Sequence, residues 1–208
     1  MFRKWDFFCP NEETKIPQGP GIYAFFLRPF RASAFGVYDD CKMSEDELTW
    51  AAKKLKQKAL SLERLFMSIE AEGDIRQALK VSHVAKSYRI KINETSAISH
   101  SRIDFITTEN VAEILRFLDG SWHILPPVYI GITHNQTLRD RFLQHRLNFY
   151  NKSQQGNVFG TRLAKSGFSW DDLVFGCQEQ SPSDSIARDL HDLEDLLQLL
   201  TKPILSVR

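Results

Sequence analysis

Three short runs of β-forming residues, 22–27, 128–131 and 173–178, lie far apart in a chain of 208 residues. Segments with helical periodicity fill the space between them. Strands of that length gain stability only by pairing with one another, so distant parts of the chain must meet in one sheet with helices packed on it. The expectation is an α+β fold with a small sheet. Residues 84–93 read as a further strand, and about one hundred residues separate the first two runs. Residues 173–178 alternate Leu, Phe and Cys with Val, Gly and Gln, the pattern of a half-buried strand.

The helical segments carry their own boundaries. Over residues 43–72, Ser44 and Glu47 form a capping-box pattern. Leu48, Ala52, Leu55, Ala59, Leu62, Phe66 and Ile69 then recur as a heptad-like seam, and Gly73 is the expected stop. Further helices are expected over 108–118, 137–149, 157–166 and 184–200, the last with Ile186, Leu190, Leu193, Leu197 and Leu200 on one stripe and Pro203 beyond it. Residues 17–21, Pro-Gln-Gly-Pro-Gly, are a turn. No repeat or low-complexity tract interrupts this order.

Length permits one large domain, or one domain with an insertion. Three cysteines, far apart and never in a C-x-x-C, argue against a disulfide framework or a zinc finger and for a reduced, cytoplasmic setting. No apolar run approaches a membrane span, and the first ten residues have no apolar core of a signal peptide. The net charge of +1 conceals an asymmetry. Residues 128–170 hold six basic residues (Arg139, Arg141, Arg146, Lys152, Arg162, Lys165) against one acidic, while residues 171–208 hold eight acidic against three basic. That pattern suits a surface for a polyanion beside a place for a cation.

A few residues could carry chemistry. Tyr23 and Tyr129 sit on strands. Arg141 and His145 are four apart, so they share one helix face. Glu194 borders the last apolar stripe. Singly, each has a plain structural explanation: a strand tyrosine, a solvated arginine, a packed histidine, a surface glutamate. Together they suit one reaction. Arginine grips a phosphate through two parallel hydrogen bonds. A lone carboxylate suits magnesium, which keeps much of its water. A metal, a cation and a hydroxyl around one point make a site for phosphodiester hydrolysis.

With these residues in place the sequence resembles the GIY-YIG nucleases. The match is Gly21-Ile22-Tyr23, then Val128-Tyr129-Ile130-Gly131, then Leu138 to His145 (LRDRFLQH), and Glu194 twelve residues before the end of Lys202-Pro203-Ile204-Leu205-Ser206. It covers under half of the chain. The resemblance implies a small three-stranded antiparallel sheet flanked by helices, and Mg²⁺- or Mn²⁺-dependent cleavage of DNA. It implies that Tyr23 and Tyr129 face the scissile phosphate, that Arg141 holds it, that His145 is the second polar group of that helix and that Glu194 binds the metal. Gly21 and Gly131 are expected to permit close backbone approach.

Two departures follow. Ser206 stands where the family usually ends in asparagine. The spacer between the tripeptides is residues 24–128, far longer than usual, so a largely helical insertion sits in the first hairpin. The expected organisation is residues 1–27 as the first part of the nuclease domain, 28–127 as the insertion and 128–208 as the remainder. Lys53, Lys54, Lys56 and Lys58, with Arg139, Arg146, Lys152, Arg162 and Lys165, are candidate DNA contacts. The seam at 48–69 is a candidate homodimer interface, with packing inside the chain as its competitor. Tyr23 is the first choice of general base and His145 the second. A phenol near pKa 10 is about 4 kcal/mol uphill of ionisation at neutral pH. The competing function is a nucleic-acid-binding or protein-interaction module that kept the fold without catalysis.

Overall fold

The computed structural model describes residues 4–38, 41–66, 73–76, 87–90, 103–151, 158–180, 190–201, 203 and 205. Its sheet contains strands β1 (Asp6–Phe8), β2 (Gly21–Leu27), β5 (Tyr129–Thr133) and β6 (Leu173–Glu179) in the order β1-β6-β2-β5, every neighbour antiparallel. A separate hairpin pairs β3 (Gly73–Arg76) with β4 (Ser87–Ile90). The helices are α1 (Glu45–Phe66), α2 (Val111–Gly120), α3 (Leu138–Tyr150), α4 (Phe159–Lys165) and α5 (Leu190–Thr201).

The fold is therefore α+β, but its main sheet has four strands, not three. The added strand, β1, is three residues long and shows no alternation that a sequence pattern could reveal. It is held by packing. Phe7 pairs with Gly176, and the Phe7 ring lies where a Gly176 side chain would project, a built Cβ there falling 2.8 Å from the Phe7 Cε1. Phe7 also meets Phe26 and Trp122 edge-on, with centroids 5.7 and 5.3 Å away. The same crowding changes β6, which is buried from Leu173 to Cys177 on both faces rather than on one.

One face of the sheet presents Tyr23, Phe25, Leu27, Phe175 and Cys177 to Leu138 and Phe142 of α3 and to Phe159 and Leu163 of α4. Ile22, Ala24 and Ile130 point the other way and meet Leu193 and Leu197 of α5. Both faces are thus covered, and the two coverings carry the polar residues of interest. The turn at 17–21 fastens α3 to β2. Leu138 and Arg139 donate their backbone N–H groups to the carbonyls of Gly19 and Pro17, which supplies acceptors to otherwise unpaired donors at the helix start. Thr137 caps the same helix, its hydroxyl accepting from the Asp140 N–H at 2.9 Å.

The insertion contains α1 and α2 as expected, and also the β3–β4 hairpin, of which the pattern at 84–93 showed only the second strand. The Ser44–Glu47 capping box forms, with the Ser44 N–H donating to Glu47 Oε2 at 2.7 Å. The helix it starts is described as far as Phe66, residues 67–72 lie outside the described residues, and Gly73 opens a strand. The remainder of the seam, including Ile69, lies outside the described residues. Ala52 and Leu55, flanked by Leu48 and Ala59, pack on Ile106, Val111 and Leu115 of the same chain. That part of the stripe is therefore packed inside the chain. Among the described residues no helix is long and apolar enough to cross a membrane. All three cysteines are free.

Candidate active site

Strand register brings the two tyrosines together. Tyr23 lies opposite Gly131, and Tyr129 lies opposite Phe25, so the tyrosines are diagonal neighbours on one face. Their ring centroids are 6.1 Å apart. Gly131 provides the space between them. A Cβ there would fall 2.6 Å from the Tyr23 hydroxyl and 3.0 Å from the Tyr129 ring. A side chain makes this approach, not backbone, and it occurs within β5 instead of at its end, which corrects the expected reason for Gly131. At Gly21 the expected reason holds: a Cβ would meet the Gln178 carbonyl oxygen at 2.3 Å.

Helix α3 brings His145 onto the tyrosines. The Tyr23 hydroxyl and His145 Nε2 are 2.9 Å apart. Both residues are buried, at 0% and 5% exposure. The Tyr129 and His145 rings meet edge-on at 5.4 Å. His145 Nδ1 is shielded from solvent and has no hydrogen-bond partner among the described residues. Burial, reinforced by the positive charges of Arg141 and Arg162, pushes the His145 pKa down to about 3 and keeps the ring neutral. Burial also drives the Tyr23 phenol well above its ordinary value; Tyr129 adds to that, and Arg141 opposes it.

Arg141 is one turn before His145, and its charge reaches Tyr23, His145 and Glu194 alike. Its Nη1 donates to Gln144 Oε1 at 2.6 Å. Its Nε is shielded and has no hydrogen-bond partner among the described residues. A neutral amide as its closest hydrogen-bond acceptor leaves the guanidinium's charge available to an anion.

Glu194 arrives from α5. Leu193 and Leu197 pack that helix on the far face of the sheet, and Glu194 lines a cleft of about 330 Å³ together with Tyr129, Arg141, His145 and Arg162. Gln198 donates to Glu194 Oε1 at 3.0 Å. Burial raises the Glu194 pKa above the usual carboxylate value, while His191, Gln198 and Arg141 counter the rise. The described residues contain no cluster of three or more His, Cys, Asp or Glu suited to a metal. One carboxylate beside the amides of Gln144 and Gln198 nevertheless fits a largely hydrated Mg²⁺, an ion often held by one or two carboxylates plus substrate oxygens.

Five predicted residues thus converge, with one difference of rank. Tyr129, Arg141, His145 and Glu194 line the cleft, whereas Tyr23 lies behind His145 and is fully enclosed. Sequence reasoning assigned Arg162 only to DNA contact. Its Nε and Nη2 donate to the Leu205 carbonyl at 2.9 and 2.5 Å, and the Leu205 N–H donates to Val128 at 2.9 Å. Arg162 therefore ties the end of the terminal motif to the strand that carries Tyr129, while also lining the cleft. Gly160 was missed altogether. A Cβ there would meet the His145 carbonyl oxygen at 2.4 Å, so this glycine sets the close approach of α4 to α3. A lone Gly in a short helical pattern gives no sign of that contact.

The remaining basic candidates scatter. Lys54 donates to the Ala34 carbonyl at 2.7 Å and lies 4.4 Å above the Trp50 ring centre. Lys58 pairs with Asp172 at 2.5 Å, and Arg146 pairs with Glu13. These side chains have structural partners within the chain. Lys53 and Lys165 are exposed, whereas Lys56 and Arg139 are half-buried. Lys152 and Ser206 lie outside the described residues. Compared with protein-family models, curated proteins and solved structures, the chain matches none.

Proposed function

We propose that this protein is a Mg²⁺- or Mn²⁺-dependent DNA endonuclease of the GIY-YIG kind, which hydrolyses phosphodiesters in the cleft above β5. One observation carries the reading: the Tyr23 hydroxyl holds His145 Nε2 at 2.9 Å, in the wall of a cleft that Arg141 and Glu194 also line. A packing histidine would not need an arginine and a carboxylate beside it in the same opening.

In this reading Arg141 exchanges its amide contact for the phosphate and holds the charge that develops on it. His145 is the proton acceptor, in place of Tyr23. The phenol is enclosed and its ionisation is disfavoured, whereas the imidazole is already neutral. In the tautomer with its proton on Nε2, His145 donates to Tyr23 and leaves Nδ1 as the ring's acceptor; because Nδ1 is shielded from solvent, the cleft wall must open at that edge for the attacking water to reach it. Tyr23 is then a positioning residue that fixes the ring and steadies the imidazolium. Burial is the larger cause of the low His145 pKa and the positive charges of Arg141 and Arg162 add to it; a phosphate between the two arginines offsets only that second part. Glu194 would hold the cation, whose charge supports the phosphate oxygens.

The test is supercoiled plasmid with Mg²⁺, with and without Glu194→Ala. Nicking by the parent and not by the variant is the expected result. Retardation of the plasmid without cutting selects a binding module, and neither effect selects a role for the insertion in protein interaction.

A further inference from the structure

Two histidines outside the cleft meet across a packing boundary. His134 directly follows the last residue of β5, and His191 lies on α5. Leu193 and Leu197 pack α5 on the side of the sheet that carries Ile130 of β5. That packing brings the two imidazole rings to a centroid separation of 5.0 Å, with their planes tilted by 45°. Both side chains are exposed, and neither lines the cleft.

The pair is chemically unused. Among the described residues neither ring has a hydrogen-bond partner. An imidazole in that condition keeps a nitrogen lone pair for a metal ion. Two imidazoles that share one tetrahedral ion, each bound through nitrogen at about 2.0–2.1 Å, hold their ring centres roughly 5 Å apart. The pair therefore already has the spacing of two ligands of one ion. Its surroundings favour a cation, because α5 carries Asp192 and Asp195, both exposed, and no lysine or arginine. Imidazole nitrogen suits zinc and nickel, whereas magnesium takes oxygen ligands. No third His, Cys, Asp or Glu completes a cluster among the described residues, so water fills the remaining positions and the ion is exchangeable.

We propose that His134 and His191 form a two-histidine site for a transition-metal ion of the zinc or nickel kind, which clamps the end of β5 to α5. The site is independent of the cleft and of the nuclease reading. Its two ligands come together only in the folded chain, so an ion bound there stabilises the fold. It also fastens the helix that carries Glu194.

Titration calorimetry with ZnCl₂ and NiCl₂ tests it on the full chain, on His134→Gln and on His191→Gln. Both substitutions are at exposed positions, so neither opens the core. The parent is expected to bind at least one of the ions with a Kd below about 1 mM. Each substitution is expected to weaken that binding by about tenfold or more, since even groups that only orient a metal ligand have effects of that size. In thermal melts the same ion should raise the Tm of the parent and not of the variants. Glu194→Ala should bind it as the parent does. No binding of either ion to the parent below 1 mM overturns the proposal. So does binding unchanged in either histidine variant, which would move the ion to another group such as the free thiol of Cys41. Loss of binding in Glu194→Ala would assign the ion to the cleft and overturn it as well.

Discussion

The Tyr23 hydroxyl and the His145 Nε2 lie 2.9 Å apart although 122 positions separate them in the chain. One comes from the first long strand of the sheet and the other from the helix after β5, and both are almost completely enclosed. Among the described residues this contact is the buried imidazole's one hydrogen bond, since Nδ1 has no partner there. Removing the hydroxyl while keeping the ring isolates that contact. Tyr23→Phe should cost about 1–2 kcal/mol of stability, the penalty for an unpaired buried nitrogen. It should lower plasmid nicking by about a hundredfold or more, the share usually carried by a positioned base. DNA affinity, read by anisotropy, should be unchanged. Undiminished nicking would exclude any part for Tyr23 in the reaction.

His145 makes stability depend on pH in a stated direction. Its folded pKa, about 3, lies below the ordinary 6.5, so the unfolded chain takes up the proton more readily. The resulting stabilisation is complete above pH 6.5 and is lost as pH falls from 6.5 towards 3. The slope from this group approaches about 1.4 kcal/mol per pH unit. Urea unfolding between pH 7 and 4 should therefore show a shallower decline for His145→Phe than for the parent, because the variant lacks the group. Parallel curves would mean that the histidine titrates normally in the folded protein.

Gly131→Ala tests the room that β5 leaves for Tyr23. The added methyl would fall 2.6 Å from the hydroxyl oxygen, so the phenol must move and release His145. A loss of about 2 kcal/mol is expected from overpacking. Nicking should fall with it, to the level of Tyr23→Phe. A thermal melt and a nicking assay on the same sample check both. Normal activity in a stable Gly131→Ala protein would show that the hydroxyl does not need its observed place.

The lysines of α1 separate into two kinds. Lys58 pairs with Asp172, whose other carboxylate oxygen accepts from the Ser169 N–H at 3.1 Å, so the pair joins the insertion to the turn before β6. Lys58→Ala should cost roughly 1–2 kcal/mol, between the values of exposed and buried ion pairs. Lys53 is exposed, so Lys53→Ala should change stability by no more than about 0.5 kcal/mol. If α1 lies on DNA, that variant should reduce the salt slope of binding by about one. Denaturant melts and salt titrations separate the two effects. Equal stability losses in both variants would contradict the different roles assigned to them.

Local patterns revealed much of this arrangement. A capping pattern marked the start of α1, apolar spacing marked α1 and α5, and β-forming runs marked β2, β5 and β6, because each signal arises from neighbours within a turn or a strand. Strand β1 had no such signal. Its place depends on Phe7 finding the bare surface of Gly176, a contact between residues far apart in the chain. The stripe on α1 was legible as a stripe, but its partner was not: helical periodicity states that a face is apolar and is silent about which chain covers it.

The same division runs through the site. The sequence by itself determined which residues could do chemistry there, because Arg141 and His145 share a helix face by spacing alone and the tyrosines, Glu194 and the terminal motif stand in a recognisable order. Tertiary structure alone decided their ranks. Burial depends on what packs around a side chain, so only the assembled sheet and helices place Tyr23 behind His145, hold the imidazole neutral and turn Glu194 into the cleft.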